Sequence, residues 1–214
     1  GSEYIIMEFL AGNRIRGTLS ERTGLTTTIG SATDVTWGTG LTMTDSGNGT
    51  ATQTNQDSWT EFAPANNAVP VGGYVQASAT STHWTFGLNN VQNRNCFGCN
   101  VYYVHPTYSN TILLYDYTSG SGSETTVSGW SQSDVMKLEV DSSSNIKFYQ
   151  NGVLKDTSDA TISTTVYPSV NMYKTGVVTM DYTPEIPALP DGSIFYETDT
   201  NKSYVLYNGS WTEL

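Results

Sequence analysis

Charge is scarce in this chain. Only 14% of its 214 residues are Asp, Glu, Lys or Arg, and the basic ones number 9 against 20 acidic, a formal net charge of −11. Neutralising a phosphate backbone takes clustered Lys and Arg, so no nucleic-acid partner is expected, and no docking on an anionic membrane. Long hydrophobic runs are missing as well. Nothing approaches the roughly 18–20 apolar residues of a membrane span, so membrane insertion is not expected. "YIIMEFLAG" (4–12) is too short and too acidic for a signal peptide, and the Gly-Ser opening reads as a processed or engineered end.

Cysteine is nearly absent. Cys96 and Cys99, in "NCFGCN", read as two thiols or as a local disulfide closing a tight loop. A zinc site wants four ligands, but there is no second CxxC, and His83 and His105 are too few and too scattered to complete one. A redox pair of the thioredoxin kind would want a βαβ setting. The reading is a structural loop, oxidised if the protein is extracellular.

Helical periodicity is lacking too. "GTLSERTGL" (17–25) has Ser20 as a cap, but Gly24 cuts it short within about two turns. Short alternating runs take the place of helices. Residues 4–10, 33–38, 40–45, 51–56, 73–80, 83–89, 101–105, 111–117, 135–141, 146–150 and 176–183 read as strands between Gly, Asn and Ser clusters, the pattern of an all-β antiparallel sandwich. "LEVDSSSNIKFYQNGVLKDTS" (138–158) is the clearest part. Leu138, Val140, Ile146 and Phe148 share one face, and Asn151-Gly152 supplies the positive φ angles of a type I′ hairpin. This meander is expected inside the sandwich.

Three segments are expected: an N-terminal strand and arm (1–32), the sandwich (33–183), and a Pro-rich linker with a short β-hairpin tail (184–214). The tail is too small to bury its own core, so it must pack on the sandwich or on a partner subunit. "YIIMEFL" is too apolar for a free edge, so it is expected to pair with its own sandwich beside "GVVTMDYT" (176–183) or to be donated to a neighbour.

Residues 33–183 resemble concanavalin A-like and SPRY-like jelly-roll sandwiches. The likeness rests on Ser133-Asp134-Val135, Leu138, Val140-Asp141, Ile146, Phe148-Tyr149 and Asn151-Gly152, with Phe86-Gly87-Leu88 upstream. It implies a two-sheet antiparallel jelly roll with a small C-terminal β appendage. The ends carry another resemblance. "LPDGSIFYETDTNKSYVLYNGSWTEL" and "GNRIRGTLSERTGLTT" look like segments of tailed-phage and environmental viral structural proteins. That likeness implies a tail or fibre subunit on a virion or an extracellular surface.

Sandwiches of this class include laminarinase-type glucanases, whose carboxylates lie on one strand as E-x-D-x-x-E, a retaining pair standing about 5–5.5 Å apart. The nearest pattern here, Glu197-Thr198-Asp199, lacks the second Glu, and Glu139 and Asp141 read as a solvated sheet face beside Lys137. No G-x-S-x-G elbow occurs. No enzyme is expected, and no cofactor. Calcium has weak candidates in Asp45 with Asn48 and in Asp156 with Asp159, although Asx-rich turns serve their own backbones in the same way.

Glycan binding is the sharper expectation. Sugars stack their C–H faces on aromatic rings, while their hydroxyls need paired donors and acceptors. Trp59, Tyr103, Tyr108 and Trp130 sit in or near loops rich in such groups, whereas Trp37 and Trp84 sit mid-strand and read as core. Assembly is expected through the ends. Arg14, Arg16 and Arg22 cluster in an otherwise acidic chain, suited to acidic surface on a neighbouring copy in a homo-oligomer, a trimer or a filament. The function read from the sequence is a non-enzymatic adhesion or structural subunit with a lectin-like head. A stand-alone secreted carbohydrate-binding module is the alternative, and a divergent glycanase the third reading.

Overall fold

Alternation along the chain becomes strands, and no helix forms among the described residues. The structure, a computed structural model, describes residues 8–10, 14–17, 27–29, 31–39, 41–55, 59–92, 100–107, 109–120, 122–187, 192–208 and 210–214. The N-terminal segment gives β1 (Glu8–Leu10), β2 (Arg14–Gly17) and β3 (Thr27–Ile29). Next come β4 (Thr33–Asp34), β5 (Thr44–Gly47), β6 (Thr50–Gln53), β7 (Glu61–Pro64), β8 (Tyr74–Ala79), β9 (Trp84–Asn89) and β10 (Tyr102–Pro106). They are followed by β11 (Thr111–Asp116), β12 (Ser123–Ser128), β13 (Met136–Val140), β14 (Ile146–Gln150), β15 (Val153–Thr157), β16 (Tyr167–Met172) and β17 (Gly176–Tyr182). The last segment gives β18 (Glu185–Pro187), β19 (Ile194–Glu197), β20 (Lys202–Tyr207) and β21 (Ser210–Glu213).

The chain divides into two compact units, residues 31–184 and the two ends, 1–30 with 185–214. The central unit is a sandwich of two antiparallel sheets. One runs β12-β11-β10-β9-β16-β7; the other runs β15-β14-β13-β8-β17-β6-β5, with β4 also on β17. Trp84, Phe86, Leu88, Tyr102, Val104, Ile112, Leu114, Val170 and Met172 from the first sheet meet Val75, Met136, Leu138, Val140, Ile146, Phe148, Val178 and Met180 from the second. Period-two alternation is what allows this, since every second side chain of a strand faces one layer.

The 138–158 stretch forms β13, β14 and β15 in the register that its parity predicts. Leu138 lies opposite Phe148 and Val140 opposite Ile146, and all four are fully buried. Asn151 (φ 49°) and Gly152 (φ 78°) make the turn into β15. Of the three strands expected inside the sandwich, β13 and β14 are inner strands of their sheet, and only the third reaches its rim. β15 is an edge strand, and its Val153 and Leu154 are 58% and 49% exposed. Trp37 and Trp84 are core, as their mid-strand positions suggest.

The terminal unit corrects two further expectations. Residues 8–10 do not pair with 176–183. They pair with β2, Glu8 opposite Arg16 and Leu10 opposite Arg14, while β17 is already flanked by β8, β6 and β4. The C-terminal tail solves its burial problem with the N-terminal segment. β19 lies parallel to β2 in a five-stranded sheet, β1-β2-β19-β20-β21. Phe195 and Leu206 are fully buried there, and Trp211 meets Phe195 edge-on at 5.8 Å. β3 and β18 form a separate antiparallel pair. Most of the helix candidate 17–25 lies outside the described residues, and Gly17 ends β2.

Candidate functional site

Trp130 lies between β12 and β13, on the wall of a groove of about 310 Å³ whose other lining residues are Thr82, Thr107, Asn110, Ser131 and Gln132. Every one of these is uncharged. Sequence reasoning named Trp130 but not its companions, which come from three separate turns and share no spacing. The ring is 8% exposed and clamped, its Nε1 donating to the Thr107 carbonyl at 2.9 Å. Gln132 donates its amide to the Thr80 carbonyl. Its Oε1, the Thr82 hydroxyl and the Asn110 amide make no hydrogen bond among the described residues. Asn110 stands at a loop tip with φ 59°, a conformation that its short amide tolerates.

The wall 129–134 is held from below. Asp134, 9% exposed, accepts from the Ser131 backbone N–H (2.9 Å), Gln150 Nε2 (2.6 Å) and Asn151 Nδ2 (2.7 Å). Burial works against its charge, but the bonds from Asn151, Gln150 and Ser131 outweigh it and set the carboxyl below the usual carboxylate range. Gln150 Nε2 also donates to the Gly129 carbonyl at 2.8 Å.

The outward face of the six-stranded sheet carries an aromatic and polar layer. Trp59 meets His83 (5.0 Å) and His105 (5.5 Å) edge-on, Tyr173 lies 5.2 Å from Trp59, and the two imidazoles stack at 4.8 Å. Across the strands, Ser169, Gly87, Tyr103, Tyr115 and Glu124 form one row. Tyr103 was expected to offer an open platform. It is instead only 4% exposed, with Tyr115 stacked on it at 4.6 Å, so its ring belongs to the packing of this face. Burial of Tyr115 and its bond to Glu124 push its phenol up to about 12. Tyr108, Cys96, Cys99 and Arg22 lie outside the described residues, and of Arg14 and Arg16 only the backbone is described.

Gly87 shows how tight this row is. A Cβ there would lie 2.5 Å from the Tyr103 Cβ and 2.7 Å from the Asn100 Cγ. Gly87→Ala should therefore cost about 1–3 kcal/mol by overpacking. Urea melts of the two proteins check this, and an unchanged midpoint would contradict the packing described.

The calcium candidates serve the protein's own donors. Asp45 Oδ1 accepts from the Gly47 N–H at 2.8 Å, and Asn48 takes φ 49° in the β5–β6 turn. Asp156 accepts from the Tyr102 hydroxyl at 2.6 Å and Asp159 from Ser123 at 2.7 Å. No group of three metal-ligating side chains forms among the described residues. Glu139 pairs with Lys137 at 2.8 Å and Asp141 with Lys147 at 3.0 Å, while Glu197 is buried in the terminal unit.

No family model matches the sequence, and no curated protein matches it. Solved structures do. The PSpry domain of TRIM65 is similar at 12% identity, over 69% of this chain and 91% of that one, with a TM-score of 0.52. Stonustoxin is similar at 12% identity over 69% of this chain and 28% of its own, with a TM-score of 0.50. The carbohydrate-binding module CBM66 from Bacillus subtilis aligns at 10% identity, over 73% and 96%, with a TM-score of 0.44. The fold is thus an all-β, concanavalin A-like jelly-roll sandwich. At such identities the likeness speaks for fold alone.

Proposed function

We propose that the sandwich is a non-enzymatic, glycan-binding head, displayed by a structural or adhesion subunit on a virion or extracellular surface. The observation that carries the binding is the groove beside Trp130. It joins an indole, an unengaged amide and hydroxyls in a space the size of a small-molecule site. Its lining is free of charge, which suits a neutral sugar: the exposed rim of the otherwise buried indole meets the sugar's C–H groups, and Asn110, Gln132 and Thr82 take the hydroxyls. Trp59 offers a second ring on the outward sheet face. The displaying subunit is read from the end segments, whose residues resemble phage and viral structural proteins.

A glycan array tests the binding. Reproducible hits on neutral glycans, with retention unchanged between low and high salt, are expected, because no ion pair is involved. Asn110→Gly, which keeps the left-handed backbone at 110, with Gln132→Ala should lower retention about thirtyfold, two neutral hydrogen bonds being worth about 1 kcal/mol each. An array without hits would remove the reading. Light scattering tests display by an assembly: the full chain should be multimeric at high concentration. A compact monomer at high concentration would instead favour the stand-alone module.

A further inference from the structure

We propose that Asp134 is a positioning residue for the groove, fixing Trp130 as a rigid platform from beneath. The inference rests on the groove being the sugar site. Trp130 is bracketed on both sides along the chain. Before it, the Gly129 carbonyl accepts from Gln150 Nε2 at 2.8 Å. After it, the Ser131 N–H (2.9 Å) and hydroxyl (3.2 Å) donate to Asp134. The same carboxylate takes Gln150 Nε2 at 2.6 Å and Asn151 Nδ2 at 2.7 Å. Asn151 in turn accepts from the Val135 N–H at 2.9 Å. Loop 129–134 is thereby tied to the β14–β15 turn, a rigid hairpin closed by Asn151 and Gly152.

The geometry explains why a carboxylate occupies this place. Its neighbours Ser131, Gln150 and Asn151 all present donors, and a buried carboxylate accepts on both oxygens. An amide there would aim its own N–H at another donor and leave buried groups unpaired. The indole is itself packed in the core and tied to Thr107, and what the carboxylate fixes is the backbone of the loop that carries it. Ligand-facing groups in a loop gain precision when the groups behind them are locked. Asp134 itself does not line the groove; it acts through Trp130 and Ser131.

The test uses the full chain labelled with 5-fluorotryptophan, the Trp130 line being assigned by its loss in Trp130→Phe. The probes are laminaritriose, mannotriose and chitotriose. In Asp134→Asn the Trp130 ¹⁹F line should shift and broaden while the lines of Trp37 and Trp84 stay in place. Affinity for whichever trisaccharide the unmodified chain retains should fall about tenfold. In the Trp130→Phe background the same change should cost less than threefold, because the two residues act as one unit. Should Asp134→Asn fail to fold, Gln150→Leu, which removes the donor shared by Gly129 and Asp134, replaces it with the same expectations. An unmoved Trp130 line, or an equal loss in both backgrounds, overturns the proposal. Retention of none of the three sugars overturns the carbohydrate reading instead, and the ¹⁹F line still decides the positioning.

Discussion

Replacing Phe148 with Ala is expected to destabilise the sandwich by about 3–5 kcal/mol, a large share of a domain's whole stability. The side chain is fully buried, opposite Leu138, and sits in the core cluster with Met136, Val140 and Ile146. Removing the ring forfeits its transfer energy and leaves a cavity that neighbours locked in sheets cannot close. Chemical denaturation should show the midpoint falling while the slope stays constant. A loss below about 1 kcal/mol would mean that the core does not rest on this position.

Acid should weaken the folded state through the stacked imidazoles. Burial, and then the charge of neighbouring His83, push His105 down to about 4, and burial also lowers His83. The unfolded chain titrates its histidines near 6.5. Between those values the unfolded state holds protons that the folded state must shed, so stability falls with falling pH in that window. The contribution is complete above about pH 6.5 and is lost through about pH 4; for His105 it is on the order of 3 kcal/mol. Asp181 acts with the opposite sign. Its carboxyl is raised by burial and by the charge of Asp34, with Gln76 working against them, and it favours folding more as pH falls. A differential measurement isolates the histidine: urea melts from pH 7 to pH 4 should converge for the unmodified chain and His105→Asn as pH drops. Parallel curves would remove the assignment.

The meander was legible because three separate signals agree in it: alternation, a polar break, and Asn-Gly. β7, β12 and β16 were not. β16 ("YPSVNM") carries Pro168 in the middle of a sheet, where proline argues against a strand. β7 ends in Pro64, and β12 ("SETTVS") is an almost wholly exposed edge strand with little apolar parity to read. Trp130 was legible as an aromatic near a loop. That Thr82, Thr107 and Asn110 join it depends on sheet order, which a linear pattern does not encode. Tyr103 shows the reverse case, a hydroxylated ring beside a loop that cross-strand stacking on Tyr115 withdraws from solvent. The partnership of the two ends was hidden for a further reason: β2 and β19 are parallel neighbours separated by the whole sandwich in sequence.

That parallel pairing makes the sandwich, in the grammar of the chain, a parenthesis. The polypeptide leaves the small unit at residue 30, completes 31–184, and resumes the small unit at 185. An insert of this kind is exchangeable, because insertion asks only that its two ends be joined to the host at one break. Grafting an unrelated jelly roll between residues 30 and 185 would keep every strand pair of the terminal sheet. Removing either end would take partners from the other, since β19 would lose β2. The sandwich can thus be exchanged as a block, while the terminal unit, being built from both ends of the chain, cannot be divided.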